Sequence, residues 1–177
     1  MNTNGLVAKS RFFDWLYGSR KGAADLSITL RKAIEREFLY RGSPSLEITS
    51  LAVVGNAASL KWYARPIYQN DDRLRYKPWA ALFAEQTLED TAKVLRTTWT
   101  HRPQLEYITL KVLQRSLRTL PHAETVIVLL QAAGETSRQA VLDWRKTRLC
   151  GLLRYCEMRY DIDPQRGLRG LSEEADD

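Results

Sequence analysis

The stretch from Lys61 to Trp79 holds the side chains with the clearest chemical potential. Cations and rings alternate along it: Lys61, Arg65, Arg73, Arg75 and Lys77, with Trp62, Tyr63, Tyr68, Tyr76 and Trp79. Cations can follow a phosphate backbone while unpaired bases stack on aromatic rings. A hairpin with a basic loop could equally lie along a duplex backbone. The alternative is that the rings pack into a small core and the arginines are solvated.

This pattern predicts a nucleic-acid-binding site made of two kinds of contact. The residues predicted to contact phosphates are Lys61, Arg65, Arg73, Arg75 and Lys77, and the predicted stacking rings are Tyr68 and Tyr76. The period-two alternation of a strand sends Trp62 and Tyr63 to opposite faces, so at least one of these two rings belongs to the core.

The charge of the whole chain favours the same class of partner. Its 177 residues carry 27 Lys and Arg against 21 Asp and Glu, a formal net charge of +6. Most of the cations are arginines, whose planar donor fork pairs with phosphate and stacks on rings. This surplus indicates an anionic polymer, with DNA favoured over RNA. GC-rich bacterial genomes also raise the arginine content of proteins that bind no anion, and this alternative stays open.

Catalytic and metal-binding patterns are weak by comparison. His101 and His122 have no nearby Cys or paired acids at metal-ligand spacing. Cys150 and Cys156 lie six residues apart in a predicted helix, about 120° apart around its axis, so they can neither pair nor hold one metal. No serine lies in a nucleophile-elbow sequence. We therefore expect no enzyme activity, no metal and no cofactor.

Location and domain organisation follow from length and hydropathy. No apolar run reaches the roughly 20 residues that a membrane-spanning helix needs. The N-terminal sequence lacks the pattern of a signal peptide, which predicts a cytoplasmic protein without a membrane partner. We expect one domain over residues 1–163 and a disordered, charged tail over residues 164–177.

Hydrophobic periodicity predicts a mainly α fold with about six helical segments. The first long helix is predicted from about Asp25 to Tyr40, because apolar residues recur there every four positions. Residues 46–65 alternate, are rich in β-branched side chains and contain a Gly55–Asn56 turn, which predicts one antiparallel β-hairpin.

Nearly everything after residue 78 is predicted to be helical. Pro78 could open a helix through Glu85, and a capping-box sequence at Thr87 could open another. Leu105, Ile108, Val112 and Leu117 then continue a helical stripe, and a further helical run extends from Pro121 to about Tyr160.

The order of these features resembles a known family. A basic Gly-Ser-Arg-Lys-Gly turn at residues 18–22 leads into a helix with Leu30 and Arg31. The hairpin ends in the sequence Leu-Lys-Trp-Tyr-Ala-Arg at residues 60–65, and the next helix carries Trp79, Leu82 and Phe83. Over residues 8–145 this is similar to an uncharacterised domain family of small proteins encoded on bacterial integrating conjugative elements. The resemblance implies a mobile-element setting, in which neighbouring genes concern DNA partitioning, single-strand binding and topology.

Two functions remain in competition. The first is an accessory nucleic-acid-binding protein for maintenance or transfer of a mobile element. The second is a helical interaction or assembly subunit without nucleic-acid contact. In that case the apolar run Val126–Leu130, which covers more than one helix face, would pack on a partner or form a homodimer. The sequence does not distinguish single from double strands, or the role of the arginine-rich stretch after residue 110.

Overall fold

The computed structural model describes residues 25–115, 124–142, 157–163 and 167–169. Within these ranges there are three α-helices and eight strands. The helices are α1 over residues 25–37, α2 (Trp79–His101) and α3 (Gly134–Leu142). The strands are β1 (Leu39–Tyr40), β2 (Ser43–Pro44), β3 (Glu47–Val54), β4 (Ala57–Tyr63), β5 (Tyr107–Arg115), β6 (Glu124–Ala133), β7 (Glu157–Asp163) and β8 (Gly167–Arg169).

The strands β3 to β8 form one sheet in sequence order, and β1 pairs with β2 in a separate short hairpin. All neighbours in the large sheet are antiparallel except β4 and β5, which are parallel. A parallel pair needs a crossover connection, and α2 supplies it. The fold is therefore α/β, and the predicted mainly α fold with a single hairpin is wrong.

The helices and the sheet share one apolar core. Buried residues of α1, α2 and α3 belong to the same cluster as buried residues of the strands; examples are Leu30, Ile34, Leu95, Trp99 and Val141 from the helices and Leu60, Trp62, Leu110 and Leu130 from the strands. Alternate residues of a strand point to opposite faces. The helices therefore cover the face of the sheet that carries Leu60 and Trp62.

The segment predicted as a helix from Leu105 contains β5, and the alternation of its side chains explains why. Ile108, Leu110 and Val112 are buried, and Thr109 and Lys111 between them are only partly buried. The spacing of Leu105, Ile108 and Val112 fits a helix as well, but it ignores Leu110. Because β-branched residues favour strands, the period of two was the stronger signal.

The apolar run Val126–Leu130 lies in β6, a central strand paired with both β5 and β7. Ile127, Val128 and Leu130 are fully buried. The register of β6 against β5 shifts at Ile127, so the adjacent residues Ile127 and Val128 are both buried, whereas Val126 and Leu129 are partly buried. Most of the run is therefore explained by the core of this chain. Three of its five residues are thus buried within the chain, and the homodimer stays a prediction.

Other predicted elements fit more closely. Residues 46–65 do form an antiparallel pair, β3 and β4, but as part of the large sheet. Gly55 has φ +58°, which glycine adopts readily in such a turn. The two helices expected from Pro78 and Thr87 are one: the Thr87 hydroxyl donates to the carbonyl of Phe83, one turn earlier, and does not cap an end.

Several predictions fall on residues outside the described ranges. These concern the basic turn at residues 18–22, the helical stripe beyond Arg115 to Leu120, and both cysteines. The helical run predicted from Pro121 to about Tyr160 is a strand over Glu124–Ala133 (β6) and again from Glu157 (β7), and the part described between them is helical only over Gly134–Leu142 (α3). Gly167–Arg169, within the predicted tail, pairs with β7 as β8. None of the helices in the described ranges is long and apolar enough to cross a membrane.

Candidate ligand-binding groove

Three adjoining cavities form a groove beside the N-terminal half of α2, which we call the α2 groove. The first and second cavities each have a volume of about 420 Å³, and the third has about 360 Å³. Arg65 lines the first and second cavities, and Arg73 lines the second and third. The three cavities therefore adjoin one another at these shared residues.

One wall of the groove is the hairpin of β1 and β2. Its two turn residues, Arg41 and Gly42, both have positive φ, the conformation of a tight two-residue hairpin turn. Ser45 anchors the hairpin, since its hydroxyl and its backbone N–H both donate to the carbonyl of Phe38. The turn thereby holds Tyr40, an exposed ring, at the edge of the first two cavities.

The opposite wall is the segment of residues 64–78, which connects β4 to α2. Ile67 is buried and Leu74 packs against the core, so the segment is fixed at two apolar positions. Between them a 3-10 turn, Asp72–Arg75, is capped by Asp71, whose carboxylate accepts from the N–H of Arg73. Two apolar anchors and a capped turn give the polar side chains between them defined positions.

The floor of the groove is built around the ion pair of Arg65 and Asp90. The Arg65 Nε and Nη2 each donate to one carboxylate oxygen of Asp90, both at 2.7 Å. The Arg65 side chain is 30% exposed and that of Asp90 only 7%. Burial raises the pKa of Asp90 above its ordinary value of 3.8, while the hydrogen bonds and charge of Arg65 oppose this rise. The Arg65 guanidinium also lies 5.5 Å from the centre of the Phe38 ring.

Gln86 connects this ion pair to a second arginine. Its amide donates to the carbonyl of Arg65 at 3.2 Å, and its amide oxygen accepts from Arg73 Nη2 at 3.0 Å. Arg73 also binds both carboxylate oxygens of Asp71. The side-chain hydrogen bond from Arg73 is the main cause that lowers the pKa of Asp71, and the same bond raises the pKa of Arg73. The floor thus consists of Phe38, Arg65, Gln86 and Asp90. Arg73 is hydrogen-bonded to it through Gln86.

We call the exposed side chains of the segment of residues 64–78 the rim: Tyr68, Tyr76 and Lys77, which line the cavities, and Arg75, which lies on the neighbouring 3-10 turn and lines none of them. The Arg75 Nη2 lies 3.4 Å from Asp72, and both side chains are more than three-quarters exposed. Lys77 is paired with Glu85 of α2, again with both side chains well exposed. Tyr68 and Tyr76 are 68% and 85% exposed. Of the seven residues predicted from the sequence, five therefore line the groove: Arg65 on its floor, and Tyr68, Arg73, Tyr76 and Lys77 with exposed side chains. Arg75 lies beside the groove on the 3-10 turn.

The seventh predicted residue, Lys61, lies on another surface. It follows the buried Leu60 and precedes the buried Trp62 in β4, so it points to the sheet face away from the helices. Its partner in the parallel strand β5 is Lys111. The structure therefore separates Lys61 from the other six.

Carboxylates balance the cations of the groove. The third cavity is lined by Arg73 and Lys77 against Glu85 and Glu89, and the first by Arg65 and Lys93 against three acids. Burial, and then repulsion from Glu85 and Asp90, raise the pKa of Glu89. Among the described residues there is no cluster of three or more His, Cys, Asp or Glu that could hold a metal ion.

The sequence analysis predicted Arg65 and Arg73 but missed Gln86 and Asp90, the α2 residues that bind them. Gln86 and Asp90 are buried polar residues one turn apart on α2. Buried polar groups require partners, so this i, i+4 pair was a usable signal once the helix was known. Tyr40 had no such signal, because only the position of the hairpin brings it beside Arg65.

Comparison with protein-family models, with curated proteins and with solved structures finds no match to this chain in any of the three.

Proposed function

We propose that the chain binds single-stranded nucleic acid along the α2 groove, as an accessory protein of a mobile element. The observation that carries the proposal is the grouping of exposed rings at one groove. Tyr40, Tyr68 and Tyr76 are each more than 60% exposed and each line at least one of its three cavities. Exposed rings beside cations are the arrangement on which unpaired bases stack while the backbone is held.

The rim supplies the phosphate contacts in this proposal. Exposed ion pairs contribute about 0–1 kcal/mol, so a phosphate can replace the carboxylate partner of Arg75 or Lys77 at small cost. A buried pair is different, because both partners have given up water. Arg65 therefore keeps Asp90 as its partner and acts from the floor. Lys61 is assigned no contact in the groove.

The biological setting has a different basis. The mobile-element role depends on the resemblance over residues 8–145, and the cytoplasmic location is the one that a nucleic-acid partner favours. DNA is favoured over RNA because the mobile-element setting implied by the resemblance concerns DNA. The alternative of an assembly subunit would require more surface than the run Val126–Leu130 offers, since Ile127, Val128 and Leu130 are buried in the core.

The test is a salt titration of oligonucleotide binding with matched charge variants. In the double variant Arg75→Ala/Lys77→Ala we expect weaker binding to single-stranded oligonucleotides. The slope of log affinity against log salt should fall by about 0.7 for each phosphate that the variant no longer neutralises. The control is Lys32→Ala/Arg36→Ala, which removes the same charge from exposed positions of α1.

If the groove is the binding site, the rim variant should lose more oligonucleotide affinity than the α1 variant. Equal effects of the rim and α1 variants would show that only net charge matters and would remove the groove from the proposal. Absence of oligonucleotide binding by the parent chain at low salt would reject nucleic-acid binding and leave the assembly function.

A further inference from the structure

The second cavity of the α2 groove differs from its neighbours in charge. It is lined by Arg65 and Arg73 against one carboxylate, Asp71. The first cavity has more carboxylates than cations, and the third has equal numbers. Both oxygens of Asp71 are already bound by Arg73. Of the three cavities of the α2 groove, the second therefore has the most cationic lining, with Asp90 bound to Arg65 from outside that lining.

Both arginines keep unused donors. A guanidinium offers five N–H donors. In Arg65 and in Arg73, Nε and Nη2 are occupied by carboxylates, but in the described structure no hydrogen bond involves Nη1 of either residue. Each arginine is thus fixed along one edge and has a second edge available.

The two guanidiniums are also held in place before any ligand arrives. Asp90 binds Arg65 from α2, Asp71 binds Arg73 from its own turn, and Gln86 bonds to both arginine residues. A group that is already ordered loses little conformational entropy on binding. Fixed donor forks are well matched to phosphate oxygens, which accept them in bidentate fashion.

The remaining lining fits the rest of a nucleotide. Tyr40 and Tyr68 are exposed rings at this cavity, and Ser45 and Asn70 add neutral polar groups. The volume of about 420 Å³ lies within the range of pockets for small organic ligands.

We propose that the second cavity binds one nucleotide unit, with its phosphate on the Nη1 groups of Arg65 and Arg73 and its base against Tyr40 or Tyr68. This deepens the proposed function and rests on it, since the unit would be one residue of the bound strand. Asp90 is a positioning residue that acts through Arg65, and it does not touch the ligand.

The experiment is calorimetric titration of the full chain with adenosine 5′-monophosphate, adenosine and inorganic phosphate at one salt concentration. We expect the monophosphate to bind about tenfold or more tighter than adenosine, because two charge-assisted contacts are at stake. That preference should be smaller in both Arg65→Lys and Asp90→Asn. The first variant loses the guanidinium, and the second loses the carboxylate that orients it. The control Arg36→Lys, at an exposed position of α1 that lines none of the three cavities, should keep the full preference.

Thermal melting checks that each variant is folded. If a single variant is unfolded, the double variant Arg65→Met/Asp90→Leu is titrated in its place. It removes the guanidinium without leaving a buried charge, so it should fold and lose the preference. Equal binding of monophosphate and adenosine by the parent, or a full preference in the floor variants, overturns the subsite.

The experiments distinguish failure of the nucleotide subsite from failure of single-strand binding. A parent that binds oligonucleotides but does not prefer the monophosphate retains groove binding and lacks the subsite. A parent that prefers the monophosphate but binds no oligonucleotide has the subsite as a mononucleotide site, and single-strand binding is rejected.

Discussion

The floor and the rim of the α2 groove each contain an arginine paired with an aspartate, and burial separates their roles. On the floor, Arg65 meets Asp90 through two bonds of 2.7 Å, and Asp90 is almost fully buried. On the rim, Arg75 lies 3.4 Å from Asp72 and both are open to water. Both pairs join a guanidinium to a carboxylate. Separating the buried floor pair costs much free energy, whereas in the exposed rim pair a phosphate can replace the carboxylate at small cost.

A basic sequence motif can therefore contain a mostly buried cation in a tight ion pair and an exposed cation in a loose one, a few positions apart. Arg65, Arg73, Arg75 and Lys77 lie within 13 positions and look equivalent in sequence. The fold assigns Arg65 to the junction of β4 with α2 and leaves Arg75 on an exposed turn. Variants at the two sites should therefore fail in different measurements.

The largest effect is expected on the floor. Arg65→Ala leaves Asp90 buried without its partner, and breaking such a pair costs about 3–5 kcal/mol; partial exposure of Arg65 favours the lower end. Arg75→Ala should change stability by no more than about 0.5 kcal/mol. Urea denaturation of both variants measures the contrast. Similar losses at Arg65 and Arg75 would mean that the floor and rim pairs are energetically alike.

An intermediate effect is expected for the rings. Tyr68→Ala and Tyr76→Ala should each weaken binding of a single-stranded oligonucleotide by about 1–3 kcal/mol, because a stacked base contributes about that much. Duplex binding should change less, since paired bases cannot stack on them. Tyr107→Ala is the control, because Tyr107 is also exposed but begins β5 and lines none of the three cavities. A loss at Tyr107 as large as at Tyr76 would contradict a ring-specific groove.

The smallest effect concerns Glu89, where floor and rim meet. Its pKa is raised by burial and by two neighbouring carboxylates, so its ionised form is less stable in the folded chain than in the unfolded one. Glu89→Gln should then raise the free energy of unfolding slightly at neutral pH, by no more than about 0.5 kcal/mol. The gain should disappear as the pH falls through the raised pKa and below the ordinary value of 4.5, where the parent carboxyl is protonated in both states. A gain that persists at low pH would point to a cause other than charge.

Local sequence signals were sufficient for α1, for the β3–β4 pair and for the presence of α2. In each case the apolar period and a turn signal agree, as at Leu30 and Ile34 in α1 or at Gly55 between the strands. The same method went wrong at β5 and β6, where leucine spacings fit a helix and a strand alike. Short apolar runs are ambiguous in period, and the pairing of Leu110 with Leu130 across the sheet resolves the ambiguity in favour of strands.

For the candidate site, the sequence shows which residue types are available: rings and cations between Lys61 and Trp79. Tertiary structure decided which of them share a surface. It turned Lys61 to the far face of the sheet, because side chains alternate along β4. It placed Arg65 against Asp90, 25 positions later, because the crossover helix α2 packs back beside the end of β4. Contacts between residues so distant in the chain depend on the packing of whole elements, and no local pattern of residues encodes them.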